Sequence, residues 1–392
     1  MSPPESSSAA REAALVQALD HDVTRYVERT RARCDRVASR RDEMVARLQR
    51  EVSKLWPQAD CAMYGSLAVG LANEGSDVDL VVQHIPSRPD FSGHEHQAAC
   101  AKRLAQQLGD VPWVRSIKTI DRSVTPIIAL VTRSAANDDD RIRDKLQAVR
   151  SSSPPSSIPP SPPESTTRAG RAAAPALPLV PAPPRADFEL SLDVSFDAPG
   201  HHGLEAVRLM NEQCRVMPLL RPLVLVIKAI LEQRALKRAY SGGLSSYAVL
   251  IMAVRFLRDW HYHTHEPEGA PGSLGRVVLG FLRFFGQQFS PERQGITLRE
   301  NLKFSVDGGG GYLRRDHPTL TMFRCDSLLV IDPVNPSNNI CKHCYRINEV
   351  QRALTEALTA LEAAALVGQA ASAAAGRTTE WRVLHAVLKL DD

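Results

Sequence analysis

Two aspartates, Asp77 and Asp79, stand one residue apart at the start of an apolar run, in the stretch MYGSLAVGLANEGSDVDLVV. The segment DVDLVVQHI is short, apolar and bounded by turn-forming residues, which predicts a buried strand. Side chains at positions i and i+2 of a strand project to the same side, so both carboxylates are expected on one face. Like charges held this close repel unless a cation or a proton neutralises them. The fold must therefore provide something that compensates this pair.

A third carboxylate, Asp193, lies in FELSLDVSF (188–196), where apolar and polar residues alternate strictly. This alternation predicts a half-buried strand with Asp193 on its polar face, from which it can join Asp77 and Asp79. Three carboxylates suit Mg²⁺ or Mn²⁺, and such a set can bridge two ions for in-line phosphoryl or nucleotidyl transfer. The alternative is structural: Asp77 caps a turn or helix, Asp79 pairs with an arginine, and Asp193 is solvated.

Two further features are expected beside these carboxylates. Gly65 and Ser66 precede Asp77 by eleven residues, a spacing that fits a glycine turn whose backbone amides cradle phosphates. Lys228 lies in the apolar helical segment LVLVIKAIL, where burying an unpaired lysine is costly. An anionic ligand is therefore a good partner for Lys228, and the alternative is a side chain that extends to the surface.

The order of predicted elements indicates a mixed-sheet α/β domain followed by a mostly helical domain. We predict an N-terminal helical region (11–56) that packs on the central domain, built from two helical stretches. A catalytic domain (57–200) follows, with short strands that include one beginning near Pro126, expected to be an edge or irregular strand. A central domain (201–370) contains successive helices, the short strands LKFSV and SLLVID, and a long Ala-rich helix. Residues 371–392 form a tail.

Residues 134–186 differ in composition, with 11 of the chain's 27 prolines and no aromatic residue. A segment of this kind cannot bury enough apolar surface to offset its ordering entropy, so we interpret it as a disordered insertion. The strand around Asp193 is expected to complete the sheet that begins before this insertion.

Composition restricts the class of protein and its compartment. The formal charge of +4 and a pI of about 8.7 are compatible with a nucleic-acid partner without requiring one. No apolar run of 18 residues suggests a membrane span, and the N-terminus lacks the pattern of a secretory signal or a mitochondrial presequence. Seven scattered cysteines indicate reduced thiols, and therefore the cytosol or nucleus.

Four motifs in order carry a resemblance to a known family. YGSLAVGLANEGSDVDLVV resembles the signature of the DNA polymerase β-like nucleotidyltransferases, and SLDVSF resembles the strand with their third aspartate. MPLLRPLVLVIKAILEQRAL with YSGGLSSYAVLIMAVRFL is similar to the central domain of non-canonical poly(A) and poly(U) polymerases. DSLLVIDPVNPSNNI is similar to their nucleotide-recognition loop. The resemblance covers residues 55–133 and 187–365 and implies a template-independent RNA 3′-nucleotidyltransferase.

The resemblance implies that Asp77, Asp79 and Asp193 are the catalytic, metal-binding carboxylates, with Asp193 also helping to deprotonate the RNA 3′-hydroxyl. It implies nucleotide binding by another set of residues: Gly65, Ser66, Gly203, Lys228, Ser246, Tyr247 and Asn338. Within this set, Gly65, Ser66, Lys228 and Ser246 would bind phosphates, and Tyr247 would stack on the base. Gly203 follows a histidine where the family has an asparagine that contacts the ribose, and Asp197 likewise replaces a family asparagine.

The resemblance favours ATP over UTP as the substrate. Uridylyltransferases of the family usually have a histidine where this chain has Asn338, and many have a second lysine where it has Glu232. The form D-P-x-x-P-x-N-[DN]-[IV] is typical of the nuclear poly(A) polymerases of the TRAMP surveillance complex. This branch implies an RNA helicase and a zinc-knuckle RNA-binding protein as partners. It implies a location in the nucleus, with the cytoplasm as an additional location left open.

Three other interpretations remain at this stage. The first is a terminal uridylyltransferase. The second is a catalytically silent scaffold that binds RNA or a helicase, although such proteins usually lose a catalytic aspartate and none is lost here. The third is a nucleotidyltransferase of small molecules, which would leave the central-domain motifs unexplained.

Overall fold

The structure, a computed structural model, describes residues 5–86, 93–120, 125–133, 189–260, 272–299, 312–315, 318–323, 327–375 and 383–388. The predicted strand LKFSV and the Pro-rich insertion lie outside these residues. Among the helices of the described ranges, none is long and apolar enough to cross a membrane.

Helix α1 (Glu5–Leu55) is one continuous helix of 51 residues, so the predicted division into two helical stretches is wrong. The segment contains neither glycine nor proline, and the helix ends two residues before Pro57, because proline cannot continue a helix. At 1.5 Å per residue, α1 is about 75 Å long. It is therefore long enough to contact two separate parts of the molecule.

Five strands form a mixed sheet in the order β1-β2-β5-β4-β3. Their bounds are β1 Asp60–Tyr64, β2 Val78–Gln83, β3 Val114–Ile120, β4 Ile127–Thr132 and β5 Ser191–Phe196. Strands β2 and β5 are parallel, and the other neighbouring pairs are antiparallel. The prediction that the strand around Asp193 completes this sheet is confirmed, and β5 lies at the centre of the sheet.

Strand β4 lies between β5 and β3, so the prediction of an edge strand there is wrong. Pro126 precedes the first residue of β4, Ile127, and therefore removes no hydrogen bond from the sheet. Strand β1 was missed by the sequence analysis. Its five residues, DCAMY, are too few to show a clear alternation.

The remainder is mostly helical, as predicted. Helix α2 (Gly65–Ala68) is a single turn after β1, and α3 (Gly93–Leu108) packs on the sheet. Within the described ranges, the central domain contains five helices, of which the last is the longest. Their bounds are α4 Gly203–Val216, α5 Leu220–Gln233, α6 Ser246–Arg258, α7 Leu274–Arg283 and α8 Ile347–Ala375. A π-helical turn (Phe284–Gln288) extends α7.

A small second sheet joins the central domain, in the order β7-β6-β8. Its strands are β6 Gln294–Ile296, β7 Tyr312–Arg314 and β8 Leu329–Val330. Strand β8 falls within the predicted strand SLLVID, and it leads into the segment that contains Asn338.

Two large hydrophobic cores share helix α1. Its N-terminal half contributes Leu15, Leu19 and Val23 to the helical core, and its C-terminal half contributes Met44 and Leu48 to the core under the five-stranded sheet. These residues recur every four positions, as expected for the buried stripe of a helix. The helix thus packs on both domains, whereas the sequence analysis expected contact with the central domain; the boundaries of the domains stay a prediction.

The C-terminal region also contacts α1. A short 3-10 turn (Val383–Ala386) packs into the helical core, and the backbone N–H of Leu384 donates to Asp22 Oδ2 at 2.9 Å. At least this part of the predicted tail is therefore packed against the central domain.

Candidate active site

Strands β2 and β5 bring two of the three predicted carboxylates side by side. Asp79 is the direct partner of Asp193 in the parallel register, and neighbouring strands are about 4.8 Å apart. Residues on either side, such as Leu80 and Val194, belong to the core that the sheet forms with α1 and α3. Because side chains alternate along a strand, Asp79 and Asp193 point to the opposite face.

Asp77 precedes β2 and is exposed, whereas Asp79 and Asp193 are half-buried. Burial raises the pKa of Asp79 to about 7, and the charges of Asp193 and Asp77 act in the same direction. Burial, followed by the charge of Asp77, also raises the pKa of Asp193. The neighbouring carboxylates therefore destabilise the charged forms of Asp79 and Asp193, as expected from the spacing in the sequence.

The donor set fits a divalent cation in its chemistry, since carboxylate oxygens are the ligands that Mg²⁺ and Mn²⁺ prefer. The repulsion at Asp79 is the kind of electrostatic cost that a bound cation removes. Within the described ranges, no three His, Cys, Asp or Glu side chains are already gathered around one point as a metal requires. Metal binding by Asp77, Asp79 and Asp193 together therefore stays a prediction.

The Gly65-Ser66 turn lies directly against Asp79. Gly65 has φ +69°, and a Cβ atom at this position would stand 2.0 Å from Asp79 Oδ2. A backbone hydrogen bond from Ser66 lowers the pKa of Asp79, in opposition to burial and the neighbouring charges. Glycine is therefore required here for two reasons, the left-handed backbone and the close approach of the carboxylate. The contact of Gly65 and Ser66 with a triphosphate stays a prediction.

A group of polar residues beneath the carboxylates was missed by the sequence analysis. Ser195 Oγ lies 3.0 Å from His201 Nε2, 3.3 Å from the hydroxyl of Tyr64, and 3.1 Å from the carbonyl oxygen of Leu80, to which it donates. Burial raises the pKa of Tyr64 to about 12, and the charges of Asp79 and Asp193 add to this effect. The alternation in SLDVSF was the available signal, because it places Ser195 on the same face as Asp193.

Gly203 begins helix α4 next to this group. A Cβ atom on Gly203 would lie 2.8 Å from both the Tyr64 ring and the His201 ring, so only glycine lets the helix approach this closely. His202 Nδ1 lies 3.0 Å from the Glu205 carboxylate, which turns the imidazole toward its own helix. The structure thus explains Gly203 by packing, and its contact with a ribose stays a prediction.

Lys228 is buried in α5, with 4% of its surface exposed, so it does not extend to the surface. Its ammonium group donates to the carbonyl oxygen of Leu71. Burial lowers the pKa of Lys228 to about 8, with a smaller contribution from Lys237, while the charge of Asp79 raises it. The negative charge of Asp79 thus acts on Lys228. The hydrogen bond described for the Lys228 ammonium group is to the backbone of Leu71. Binding of phosphates by Lys228 stays a prediction.

The residues predicted to recognise the base come together around Asp332, which the sequence analysis did not single out. The hydroxyl of Tyr247 donates to Asp332 Oδ1 at 3.0 Å, and Asn338 Nδ2 donates to Asp332 Oδ2 at 3.1 Å. The backbone N–H of Asp332 donates to the carbonyl oxygen of Asn338 at 3.0 Å. One carboxylate therefore orients both side chains.

Two neighbours fix this arrangement in place. Asn339 is buried, and its side-chain oxygen accepts from the backbone N–H groups of Val330 and Cys341, both at 2.9 Å, while its amide donates to Leu328 O at 2.8 Å. At helix α6, Ser245 is the N-cap and accepts from the Ala248 N–H at 3.1 Å. Ser246 is the first residue of the helix, and its contact with a phosphate stays a prediction.

Comparisons with known proteins agree with this geometry. Residues 19–139 match the family model described as "Poly(A) RNA polymerase, mitochondrial-like, central palm domain". The chain is 24% identical over 326 residues to Poly(A) RNA polymerase protein 1 of Saccharomyces cerevisiae, covering 82% of this chain and 40% of that protein. It is 26% identical to Poly(A) RNA polymerase cid14 of Schizosaccharomyces pombe, covering 77% of this chain and 34% of that protein.

The solved structures show the same fold. The polymerase core of TRAMP, described as an RNA surveillance complex, superposes with a TM-score of 0.62 at 21% identity, covering 90% of this chain and 88% of that chain. A variant of the Cid1 poly(U) polymerase bound to MgATP superposes with a TM-score of 0.56 at 17% identity, covering 83% and 88%. Taken together, these comparisons support a non-canonical poly(A) polymerase nucleotidyltransferase.

Similarity to this family does not by itself define an activity. The chain is 26% identical to the "Inactive non-canonical poly(A) RNA polymerase protein Trf4-2" of Drosophila melanogaster, covering 81% of this chain and 62% of that protein. The chain also spans only 40% and 34% of the lengths of the first two yeast relatives. The family resemblance and the predicted fold class, a mixed-sheet domain with a helical central domain, are confirmed.

Proposed function

We propose that this non-canonical poly(A) polymerase homologue transfers AMP from ATP to the 3′ end of RNA without a template. One observation carries the proposal: Asp79 and Asp193 are direct partners on neighbouring parallel strands, and the Gly65 turn closes on Asp79. The names of the yeast relatives, which are poly(A) RNA polymerases, support the choice of reaction.

In this reaction the RNA 3′-oxygen attacks the α-phosphorus of ATP, a new P–O bond forms, and the bond to pyrophosphate breaks. Asp193 is the candidate acceptor for the hydroxyl proton, because burial and the nearby charge of Asp77 make its carboxylate more basic than usual. Asp77, Asp79 and Asp193 would hold divalent cations, Mg²⁺ or Mn²⁺. Such ions, when bound, neutralise the charge that develops on the triphosphate.

The nucleotide would lie between the two domains, with its base near Tyr247. Asp332 orients the Tyr247 hydroxyl and the Asn338 amide, so this part of the site is fixed before a nucleotide binds. Asn338 takes the place of the histidine usual in uridylyltransferases, which favours ATP.

Glu232 stands where many uridylyltransferases have a second lysine. Its carboxylate accepts from Asn73 Nδ2 at 3.0 Å and from Lys237 Nζ at 2.7 Å, so it is engaged within the protein. This position therefore lacks the second lysine found in many uridylyltransferases, which is a further reason to prefer the adenylyl branch.

Terminal uridylyl transfer is the second candidate. It is favoured by the likeness to the Cid1 poly(U) polymerase, although that likeness shows the fold alone. A catalytically silent scaffold is a third candidate, and the inactive Drosophila relative makes it concrete. Retention of all three aspartates at the predicted positions speaks against a silent protein.

We also propose that the chain acts in the nucleus, with an RNA helicase and a zinc-knuckle RNA-binding protein as partners. The likeness to the TRAMP polymerase core supports this proposal. Co-purification with tagged protein, followed by identification of the bound proteins, tests the partners, and imaging of a fluorescent fusion tests the location.

Primer extension tests the reaction. A 5′-labelled single-stranded RNA is incubated with Mg²⁺ or Mn²⁺ and each of the four nucleoside triphosphates alone, with Asp79→Ala beside the wild type. Extension with ATP that Asp79→Ala abolishes supports the proposal. Extension chiefly with UTP would replace it with uridylyl transfer. No extension even with the purified partners would leave the scaffold.

A further inference from the structure

The loop between helices α5 and α6 exposes an aromatic ring on a rigid backbone. Tyr240 is 77% exposed, the largest exposed fraction recorded for a large hydrophobic side chain in the described ranges. The loop around it is closed by backbone hydrogen bonds, from Gly243 N–H to Arg238 O at 3.0 Å and from Leu244 N–H to Leu236 O at 2.8 Å. Tyr240 is therefore held in place by its backbone and not by burial.

Two glycines allow close packing of this loop, one against the segment before α8 and the other against Leu236. Gly242 has φ +85°, and a Cβ atom there would lie 2.5 Å from the ring of Tyr345. A Cβ atom on Gly243 would lie 2.0 Å from Leu236 O. The Arg346 N–H donates to Gly242 O at 3.0 Å, which ties the two segments together. Tyr345 is itself 66% exposed, so a second ring lies beside the loop.

Arg238 fixes the orientation of Tyr240. Its guanidinium donates to the Tyr240 hydroxyl at 2.7 Å and lies 5.8 Å from the centre of the ring. The hydrogen bond that Arg238 donates to Tyr240 raises the pKa of Arg238. The preceding residue, Lys237, pairs with Glu232, which also accepts from Asn73, four residues before Asp77 in the chain. These contacts place the loop on the carboxylate side of the molecule.

The basic residues of the loop differ in their partners. Lys237 contacts Glu232 at 2.7 Å, and Arg234 contacts Glu356, so both charges are balanced by a carboxylate. Arg238 instead donates to a neutral hydroxyl. Its positive charge is thus presented beside an exposed ring.

We propose that Tyr240 and Arg238 form a stacking site for a base of the single-stranded RNA acceptor close to its 3′ end. Bases of single strands stack on exposed aromatic rings, and arginine attracts the phosphate backbone, without requiring a particular sequence. This inference rests on the proposed function in taking RNA as the acceptor.

Equilibrium binding tests the site without any chemistry. Fluorescence anisotropy of a labelled oligoadenylate is measured with the full chain, in the absence of nucleotide and with a chelator. Tyr240→Ala should weaken binding about tenfold, since loss of one stacked base has about this effect. Tyr240→Trp should retain or strengthen binding, because the larger ring still stacks. Met322→Ala, at another exposed apolar residue (69% exposed), is the control and should leave binding unchanged.

A second readout guards against a variant that fails to fold. The Tyr240→Trp protein carries a new exposed indole, and RNA should quench its fluorescence beyond any change in the wild type. Wild-type affinity for Tyr240→Ala, or no additional quenching in Tyr240→Trp, would overturn the inference. So would unchanged RNA affinity with loss of a co-purifying protein, because Tyr240 would then belong to a protein interface.

The two proposals fail in distinguishable ways. If RNA binding depends on Tyr240 but the wild type extends no primer with any nucleotide, the proposed function fails and the binding site stands. If ATP extends the primer and Tyr240→Ala binds and extends RNA normally, only the inference about Tyr240 fails.

Discussion

Gly65→Ala separates the cost of a left-handed backbone from the cost of displacing a catalytic carboxylate. Gly65 (φ +69°) and Gly70 (φ +70°) have nearly the same backbone conformation and lie five residues apart. A Cβ atom on Gly65 would stand 2.0 Å from Asp79 Oδ2, whereas one on Gly70 meets Arg221 Nε at 3.4 Å, an ordinary contact. Gly70→Ala is therefore a matched control.

The expected magnitudes follow from these distances. Both variants lose about 1 kcal/mol of unfolding free energy, because a non-glycine residue in the left-handed region is strained by that amount. In Gly65→Ala the Asp79 carboxylate must also move by about 1 Å, and a misplacement of that size in a reacting group costs about 100-fold in rate. We expect a kcat near 1% of the wild type for Gly65→Ala and near the wild-type value for Gly70→Ala.

Two measurements check this prediction. Urea unfolding gives the loss of stability for both variants, and primer extension under saturating ATP gives kcat. If both variants lose the same small amount of activity, the contact between Gly65 and Asp79 does not position the carboxylate, and the reasoning is refuted. A large loss in both would point to the strained loop as a whole.

Three further predictions concern pH, the nucleotide and the recognition loop. Burial raises the pKa of Asp79 from 3.8 to about 7. Between about pH 4 and about pH 7, the metal-free folded protein therefore keeps a proton that the unfolded chain releases. The free energy of unfolding should fall as the pH rises through this range. Asp79→Asn should reduce this fall in thermal melts with chelator; an identical pH profile would contradict it. Tyr247→Phe removes the hydroxyl that donates to Asp332 at 3.0 Å. This change should raise the KM for ATP about five- to tenfold. An unchanged KM would mean that this hydrogen bond does not shape the nucleotide site. Asn339→Ala leaves three backbone groups without their hydrogen-bond partner and should lower the free energy of unfolding in urea by about 3 kcal/mol. The control Asn335→Ala, at a half-buried residue, should lower it by less than about 1 kcal/mol. Equal losses in the two variants would refute the role of Asn339.

The sheet shows where local pattern is sufficient. The alternation in FELSLDVSF predicted β5, and the apolar run after Asp79 predicted β2, because each strand has one face in the core. Strand β1 was not predicted, since DCAMY has no such alternation. The position of β4 was predicted wrongly because Pro126 is close to it in sequence, and only the pairing shows that the proline precedes the ladder.

The site shows a similar division. Asp77, Asp79 and Asp193 were recognisable from residue type and spacing, whereas Asp332 was not, because its importance lies in joining Asn338 to Tyr247, which is 85 residues away in the chain. The alternation in SLDVSF indicates the face on which Ser195 lies, but not its contacts with Tyr64 and Leu80, which are 131 and 115 residues away.

By itself, the sequence determined the family resemblance, the strands that carry the aspartates and the helical character of the second domain. These features follow from local periodicity and from short-range spacing of charged residues, which the backbone converts directly into shared faces. The tertiary structure decided which residues meet across long separations. It placed Asp193 beside Asp79 although 114 residues separate them in the chain, it joined both cores through α1, and it buried Lys228 against Leu71. Contacts of this kind depend on how whole elements pack, and no local pattern encodes them.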